Sequence, residues 1–314
     1  MPDVFQCDVD DVRALSELAS IIERNDLILF AGAGLSAQAA TKDGQHPPLW
    51  RELMHRMIDW CERERLIDAR YVKELRELVE VDLLDAGQEL EDAINSASRS
   101  ALQRCLNDVL LCNLAETSIA HRLLTRISFR GFLTTNYDDF IESAYIRTQR
   151  RSLPRFYEDT YEGVLEAWRS RQPFILKIHG DVSHPQSIVL GRRSYERMLY
   201  ENKQYSRCLE QLIGGSSILF VGFGGSDPNL EHILSRAAIF DGRSKRHWMV
   251  APSRNMPALK AKRLWTDKGI NVIVYQGSHS GLNRFLRNLA RAETEGPTDL
   301  SRVSRIPPAA ARRR

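Results

Sequence analysis

The sequence lacks the features that would place it in a membrane or in a secreted class. No apolar run approaches the roughly 18–20 residues that a helix needs to cross a bilayer. The first residues, MPDVFQCDVDDVRALSEL, are acidic and have neither the basic start nor the apolar middle of a signal peptide. We therefore expect a cytoplasmic protein with no membrane partner.

Cysteine is scarce and irregularly spaced. The chain of 314 residues has five cysteines, an odd number, and no two of them form a CxxC pair. Disulfide frameworks and structural zinc sites usually need paired or clustered cysteines. This pattern predicts reduced thiols and neither zinc nor another bound metal.

An excess of charge is also missing, except near the end. The chain has 44 Lys and Arg against 41 Asp and Glu, and its formal net charge is +3. That excess is too small to indicate nucleic-acid binding by itself. Basic residues collect around the segment 293–314, which ends in AAARRR. Two interpretations of this basic tail stay open: a solvated, frayed terminus, or a docking segment for an acidic partner or nucleic acid.

The sequence does contain short β-rich apolar runs separated by helical patterns. The runs cover residues 27–31, 131–135, 174–178, 217–223, 247–251 and 271–275. Runs that are apolar almost throughout are typical of strands covered on both faces. Their alternation with helices predicts an α/β fold with a doubly wound, mostly parallel, Rossmann-like sheet of six strands.

The spacing of these runs predicts the domain organisation. A long stretch between the first two strands has helical periodicity and no convincing strand. We expect a helical inserted small domain over residues 48–128. Residues 1–47 and 129–292 would form the Rossmann-like domain, and residues 293–314 the basic tail.

A glycine-rich turn, Gly32-Ala33-Gly34, follows the first strand, and Ser36 comes directly after it. Glycine lets the backbone turn sharply and approach a pyrophosphate, and N–H groups at the next helix start can face the anion. Only the front of a GxGxxG fingerprint is present, because Ala37 takes the place of the third glycine. The motif alone leaves nucleotide binding and plain packing equally open. The loop after it, QAATKDGQHPPLW, is a candidate lid.

Polar residues and glycines also follow the other predicted strands. After the second, third and fourth strands come Thr134, Asn136 and Asp138, then His179, then Gly222, Gly224 and Ser226. The segments APSRN and QGSHSG follow the fifth and sixth. Each residue has a structural alternative; Asn136 or Asp138, for example, could cap a helix. Ligands in doubly wound sheets bind at the carboxyl ends of strands, so their convergence favours a nucleotide site.

The ordered set of motifs resembles the sirtuin family, which binds NAD on a Rossmann fold. The matching segments are GAGLS at 32–36, TTNYD at 134–138 and HG at 179–180. The resemblance implies that the first segment, including Ala33, cradles the NAD pyrophosphate. It also implies that the second lies by the nicotinamide and its ribose, and that His179 is the catalytic histidine. Residues 222–226 match the segment for the adenosine half less tightly.

Departures from the family alter the expected activity. The zinc ribbon of deacylase sirtuins is missing, and QAATKDGQHPPLW replaces their Asp-Phe-Arg segment. The segments DPNL and LW look instead like the bacterial sirtuin-like effectors of anti-phage defence. That resemblance implies an NAD+ glycohydrolase. Because an NADase that is always active would kill its host, we expect it to be latent until a partner activates it in abortive infection. The implied partners are a HerA-type ATPase translocase or, second, a short Argonaute. We also expect a homo-oligomer, with nucleic acid bound only through the partner.

The expected chemistry is cleavage of the bond between nicotinamide and ribose through an oxocarbenium-like transition state. Asn136 would orient the ribose or an attacking water, and Asp138 would hold the carboxamide or stabilise the ribose cation. His179 would accept a proton. Two alternatives stay open: an NAD-dependent protein deacylase or ADP-ribosyltransferase, and a non-catalytic sensor of NAD or ADP-ribose that regulates a partner.

Overall fold

The computed structural model describes residues 6–98, 100–223, 247–277 and 279–295. Within them lies one sheet of eight strands, in the order β1-β8-β7-β6-β2-β3-β5-β4, and all its pairings are parallel. The strands are β1 (Gln6–Asp8), β2 (Leu27–Ala31), β3 (Gly131–Thr134), β4 (Arg155–Phe156), β5 (Ile175–Lys177), β6 (Ser217–Val221), β7 (His247–Pro252) and β8 (Ile270–Tyr275).

Helices cover both faces of this sheet and fill the connection between β2 and β3. They are α1 (Val12–Glu23), α2 (Ala33–Ser36), α3 (Trp50–Arg63), α4 (Ala69–Val81), α5 (Leu83–Ala97), α6 (Ala101–Val109), α7 (Ile119–Leu124), α8 (Phe140–Gln149), α9 (Tyr161–Arg169), α10 (Arg192–Glu196), α11 (Lys203–Gly215), α12 (Ala258–Lys268) and α13 (Ser280–Glu295). In the described part of the chain, no helix has the length and apolar character needed to cross a membrane.

The predicted doubly wound sheet is confirmed, but it has eight strands rather than six. Each of the six apolar runs overlaps a strand. The two further strands, β1 and β4, are 3 and 2 residues long and form the two edges, beside β8 and β5. An edge strand has a neighbour on one side only, and neither strand has an apolar run that would identify it in the sequence.

Strand β2 shows why apolar runs become central strands. All five of its residues are fully buried, and successive side chains point to opposite faces of the sheet. Leu27 and Leu29 join the core formed with α1 and α13, whereas Ile28 and Phe30 join the core formed with α9 and α11. The sheet is therefore the middle of three layers.

The helices α3 to α6 have a core of their own, which includes Met54, Leu75, Leu90 and Leu106. They form the body of the predicted helical insertion. Helix α7 also lies inside the predicted limits of 48–128, but its residues Ala120 and Leu124 belong to the core of the sheet domain. At the other end, α13 continues to Glu295, so residues 293–295 of the predicted tail are helical. The rest of the tail lies outside the described residues.

The strand order reverses beside β2. The chain continues from β2 to β3 on one side, and later returns to place β6 on the other side. In an open parallel sheet, such a reversal opens a crevice at the carboxyl ends of the strands. The topology therefore places the loops after β2, β3 and β6 around one crevice.

Candidate functional site

A cavity of about 840 Å³ lies at this crevice. This volume is within the range of small-molecule sites in proteins. The predicted site residues that line it are Gly32, Ala33, Gly34, Ser36, Asn136, Asp138, His179 and Gly222. Pro47 and Pro48 from the candidate lid also line it. The structure thus brings together residues from the ends of four strands.

Three glycines allow the loop after β2 to contact the end of β6. A Cβ atom would lie 2.6 Å from the Gly222 oxygen at Gly32 and 2.9 Å from it at Gly34. The N–H groups of Gly32 and Gly34 donate to the carbonyls of Val221 at 3.0 Å and Gly222 at 2.8 Å. Gly222 has φ +68°, and a Cβ there would lie 2.2 Å from the Leu35 nitrogen. Backbone packing therefore requires these glycines, and both N–H groups are used within the protein; contact with a pyrophosphate stays a prediction.

Ser36 links Asn136 to Asp138. Its hydroxyl donates to Asp138 Oδ2 at 2.6 Å and accepts from Asn136 Nδ2 at 2.8 Å. Asn136 Nδ2 also donates to the Gly32 carbonyl at 3.1 Å. Because a carbonyl only accepts, this contact fixes the orientation of the amide. Asn136 Oδ1 is then a buried acceptor with no hydrogen-bond partner among the described residues. It is available to a ligand or water in the cavity.

Asp138 is buried, and both of its carboxylate oxygens are engaged. Oδ2 accepts from Ser36, and Oδ1 accepts from the Phe140 N–H group at 3.2 Å. Burial raises the pKa of Asp138, while Lys177 and the Ser36 hydrogen bond oppose the increase. These contacts indicate that Asp138 orients Ser36. A direct role on the nicotinamide stays a prediction.

A buried ion cluster supports this loop from the side of β5. Lys177 is 0% exposed; its Nζ lies 3.1 Å from Asp181 Oδ2 and 3.5 Å from Glu142 Oε1. It also donates to the Asp138 carbonyl. Arg155 contacts both carboxylates at 3.3 Å. Burial alone would lower the pKa of Lys177, but the neighbouring carboxylates raise it above its usual value. Lys177 therefore stays charged and connects the end of β5 to the Asp138 loop.

His179 follows β5 and is held by aromatic contacts. The Tyr195 hydroxyl lies 3.4 Å from His179 Nδ1, and the two ring centroids are 4.9 Å apart. Trp50 stacks on Tyr195, with centroids 6.0 Å apart and 8° between the ring planes. Tyr195 lies in α10, and Trp50 is the first residue of α3 in the helical insertion. The insertion therefore contacts the histidine through two aromatic rings.

Three predicted residues have other outcomes. Thr134 does not line the cavity; its Oγ1 donates to the Ala31 carbonyl and accepts from the Asn136 N–H group, both at 3.0 Å. Thr134 therefore holds the backbone at Asn136 in place. Gly224 and Ser226 lie outside the described residues.

Sequence reasoning missed other residues of the cavity wall. Tyr195 lies in a helix, away from any strand end, and no local pattern marks it. Trp50 ends the candidate lid in the LW segment, but its contact with Tyr195 was not predicted. Arg254 follows β7 and His279 follows β8. The rule that ligands bind at carboxyl ends could have identified both, since their segments were among those that follow strands.

No group of three His, Cys, Asp or Glu side chains within the described residues could hold a metal ion. The five cysteines are all in the described part, and all are free thiols.

Comparison with known proteins confirms the resemblance stated for the motifs. A family model described as a SIR2-like domain matches residues 130–273. The NAD(+) hydrolase ThsA of Acinetobacter baumannii (strain 532279) is 27% identical over 237 residues, which are 75% of this chain and 44% of that protein. The protein of the same name from Enterococcus faecium is 30% identical over 227 residues, 70% of this chain and 42% of the relative. The one from Bacillus cereus (strain MSX-D12) is 32% identical over 129 residues, 41% and 26% respectively. The chain thus spans less than half the length of these curated relatives.

Proposed function

We propose that this chain, which carries a SIR2-like domain, is an NAD+ glycohydrolase that cleaves NAD+ into nicotinamide and ADP-ribose. One observation carries the proposal: Asn136 presents a fixed, buried acceptor in the same cavity as His179. The relatives named NAD(+) hydrolases support the same chemistry.

The bond to be broken joins C1′ of the ribose to the nicotinamide nitrogen. The bonding pair leaves with nicotinamide, which is cationic before cleavage and neutral afterwards, so a general acid is not needed. The transition state carries positive charge on the ribose and resembles an oxocarbenium ion. The protein must therefore position the ribose and one water molecule, and keep other water away. Apolar and aromatic side chains in the cavity wall, among them Trp50, Tyr195 and Phe223, suit this exclusion.

In the proposed reaction, the water oxygen forms a bond to C1′ as the bond to nicotinamide breaks. Asn136 Oδ1 accepts a hydrogen bond from this water or from a ribose hydroxyl, which orients the attacking group. His179 accepts the proton that the water loses. Asp138 acts through Ser36, whose hydroxyl holds the Asn136 amide in place.

We further propose that the activity is latent, because unrestrained NAD+ hydrolysis would kill the cell that makes the protein. The helical insertion is the proposed point of control. Arg192 of α10 pairs with Asp82, the N-cap of α5, and with Asp85 in its first turn. Arg193 pairs with Asp92 of the same helix. A shift of the insertion would thus reach α10, the helix that contacts the catalytic histidine. Self-association, a HerA-type translocase and, second, a short Argonaute are the proposed activators, in anti-phage defence.

Nicotinamide release from NAD+ by the purified full chain, alone and with each proposed activator, tests the function. We expect Asn136→Ala and His179→Ala to lower turnover by about 100-fold or more, the usual size of a lost acid–base or orienting group. His184→Ala is the matched control, because this histidine stacks on Tyr157 and does not line the cavity. Full turnover by either site variant would contradict the assignment. Formation of O-acyl-ADP-ribose in place of ADP-ribose would favour a deacylase.

A further inference from the structure

The cavity extends past the crevice at β2 and reaches the ends of β7 and β8. Ser253 and Arg254 follow β7 there, and Gln276 and His279 follow β8. The Ser253 hydroxyl donates to Gln276 Oε1 at 2.8 Å, so the two loops are in contact. Residues that follow two neighbouring strands therefore form this end of the cavity wall. The reaction proposed above does not use them.

The charge of this wall is positive. Among the described residues that line the cavity, Arg254 is the only Lys or Arg, and the only carboxylate is Asp138, which is buried against Ser36. No ion pair between described residues involves Arg254. Burial, then Arg254 and His46, lower the pKa of His279, so its neutral imidazole adds a hydrogen-bonding group to this wall and leaves the positive charge to Arg254. An anion would compensate this local excess of positive charge.

The distance from the reacting end suits the second half of a dinucleotide. Asn136 follows β3 and Arg254 follows β7, and the order β3-β2-β6-β7 separates them by three strand intervals. At roughly 4.8 Å for each interval, this is about 14 Å across the sheet. Dinucleotides lie across such a crevice, so a nicotinamide ribose at Asn136 directs the adenosine ribose towards β7.

The side chain near the adenosine ribose usually decides which dinucleotide binds. In classical Rossmann sites, where this ribose lies at the strand that follows the glycine loop, a carboxylate binds the free ribose hydroxyl of NAD and an arginine accommodates the 2′-phosphate of NADP. The same chemistry applies at β7 when the adenosine ribose lies there instead. The described wall at β7 and β8 has an arginine and a histidine, and no carboxylate. A guanidinium also binds phosphate with two parallel hydrogen bonds, which makes it a selective phosphate ligand.

We propose that Arg254 and His279 form a subsite for the 2′-phosphate of NADP+, and that the cavity accepts NADP+ as a substrate alongside NAD+. This inference rests on the proposed function, because it places the nicotinamide ribose at Asn136. The cleaved bond is the same as in NAD+, and the products are nicotinamide and 2′-phospho-ADP-ribose.

Binding of the two product nucleotides tests the subsite without any catalytic step. Calorimetry on the full chain compares ADP-ribose with 2′-phospho-ADP-ribose, which differ only in the phosphate. We expect the phosphorylated compound to bind at least about tenfold more tightly, the usual effect of a hydrogen-bonded charged group. Arg254→Gln should abolish most of this preference, because a loss of about tenfold is the size of one charge-assisted bond. Arg263→Gln, which removes an exposed charge of α12 outside the cavity, should retain it.

The outcomes separate this inference from the proposed function. Equal binding of both compounds by the unmodified protein, or an unchanged preference in Arg254→Gln, would overturn the subsite. An equal loss of preference in Arg263→Gln would overturn it too, because the effect would then be long-range electrostatics. A preference that depends on Arg254, together with no nicotinamide release from NAD+ or NADP+ under any activator, would support the subsite and contradict the hydrolase.

Discussion

Replacing Ser36 by alanine separates two roles for its hydroxyl. The sequence motif suggests a donor to the NAD pyrophosphate, whereas the structure has this hydroxyl donating to Asp138 and accepting from Asn136. A phosphate ligand mainly affects substrate binding. A group that orients Asn136 mainly affects turnover, because the amide loses its fixed position at the reacting centre.

The structure sets the expected size of each effect. Loss of the 2.6 Å bond leaves Asp138 Oδ2 buried without its donor. Hydrogen bonds to charged groups contribute about 1.5–3 kcal/mol, so the free energy of unfolding should fall by about that amount at a pH where Asp138 is ionised. The bond from Asn136 is neutral and contributes about 0.5–1.5 kcal/mol. Since about 1.4 kcal/mol corresponds to a factor of ten in rate, kcat should fall about 2- to 13-fold, with little change in KM.

The loss of stability should depend on pH. The Ser36 bond lowers the pKa of Asp138 against the larger effect of burial, so its removal raises that pKa further. A carboxyl whose pKa is raised on folding stabilises the fold below its unfolded pKa, and this contribution is lost as pH rises through the folded pKa. The difference between variant and unmodified protein should therefore be largest at a pH above both folded pKa values of Asp138. It should disappear as pH falls below the raised folded pKa in the unmodified protein, where both folded carboxyls are neutral.

Nicotinamide release over a series of NAD+ concentrations gives kcat and KM, and denaturant unfolding gives the stability. Ser206→Ala is the matched control, because this buried hydroxyl donates to the Met198 carbonyl at 3.3 Å and does not line the cavity. It should leave kcat and KM unchanged. A Ser36→Ala variant with a raised KM, an unchanged kcat and full stability would refute the orienting role and restore the phosphate interpretation.

Two further predictions concern the surroundings of the site. Tyr195→Phe keeps the ring stacking but removes the hydroxyl contact with His179. We expect kcat to fall about 2- to 13-fold and its pH profile to shift, with KM unchanged. An unaltered pH profile would exclude positioning of His179 through the hydroxyl. Lys177→Met leaves two buried carboxylates without their lysine, and the free energy of unfolding should fall by about 3–5 kcal/mol. Arg70→Ala removes an exposed ion pair and should change the free energy of unfolding by less than about 1 kcal/mol in the same denaturation experiment. A similar loss of stability in the two variants would contradict the role of burial.

The interior of the sheet could be predicted because burial on both faces requires apolar side chains throughout a strand. Leu27–Ala31 and Ser217–Val221 are fully or almost fully buried and stand out as apolar runs. The edge strands Gln6–Asp8 and Arg155–Phe156 could not be predicted in this way, because they are short and only partly buried. Their strand conformation depends on the neighbouring strands with which they pair.

The site could be predicted only as a set of residues. Asn136, Asp138 and His179 each follow a strand, and this position alone brings them to one crevice. Their contacts could not be predicted: Ser36 and Asp138 are 102 positions apart in the chain, and their 2.6 Å bond depends on the register of β2 against β3. Tyr195 has no local signal at all, because it reaches His179 only through the packing of α10.

The sequence by itself determined that the chain forms a parallel α/β sheet with polar residues at the carboxyl ends of its strands. Apolar periodicity and strand ends are local properties, and parallel strands all end on the same side. Only the tertiary structure decided the contacts of those residues: the glycines at 32 and 34 pack against Gly222, and Ser36 orients Asn136. It also places the positive charge of Arg254 in the cavity wall at the ends of β7 and β8. Hydrogen bonds and steric contacts change over tenths of an ångström, and distances of that size are set by how distant segments pack together.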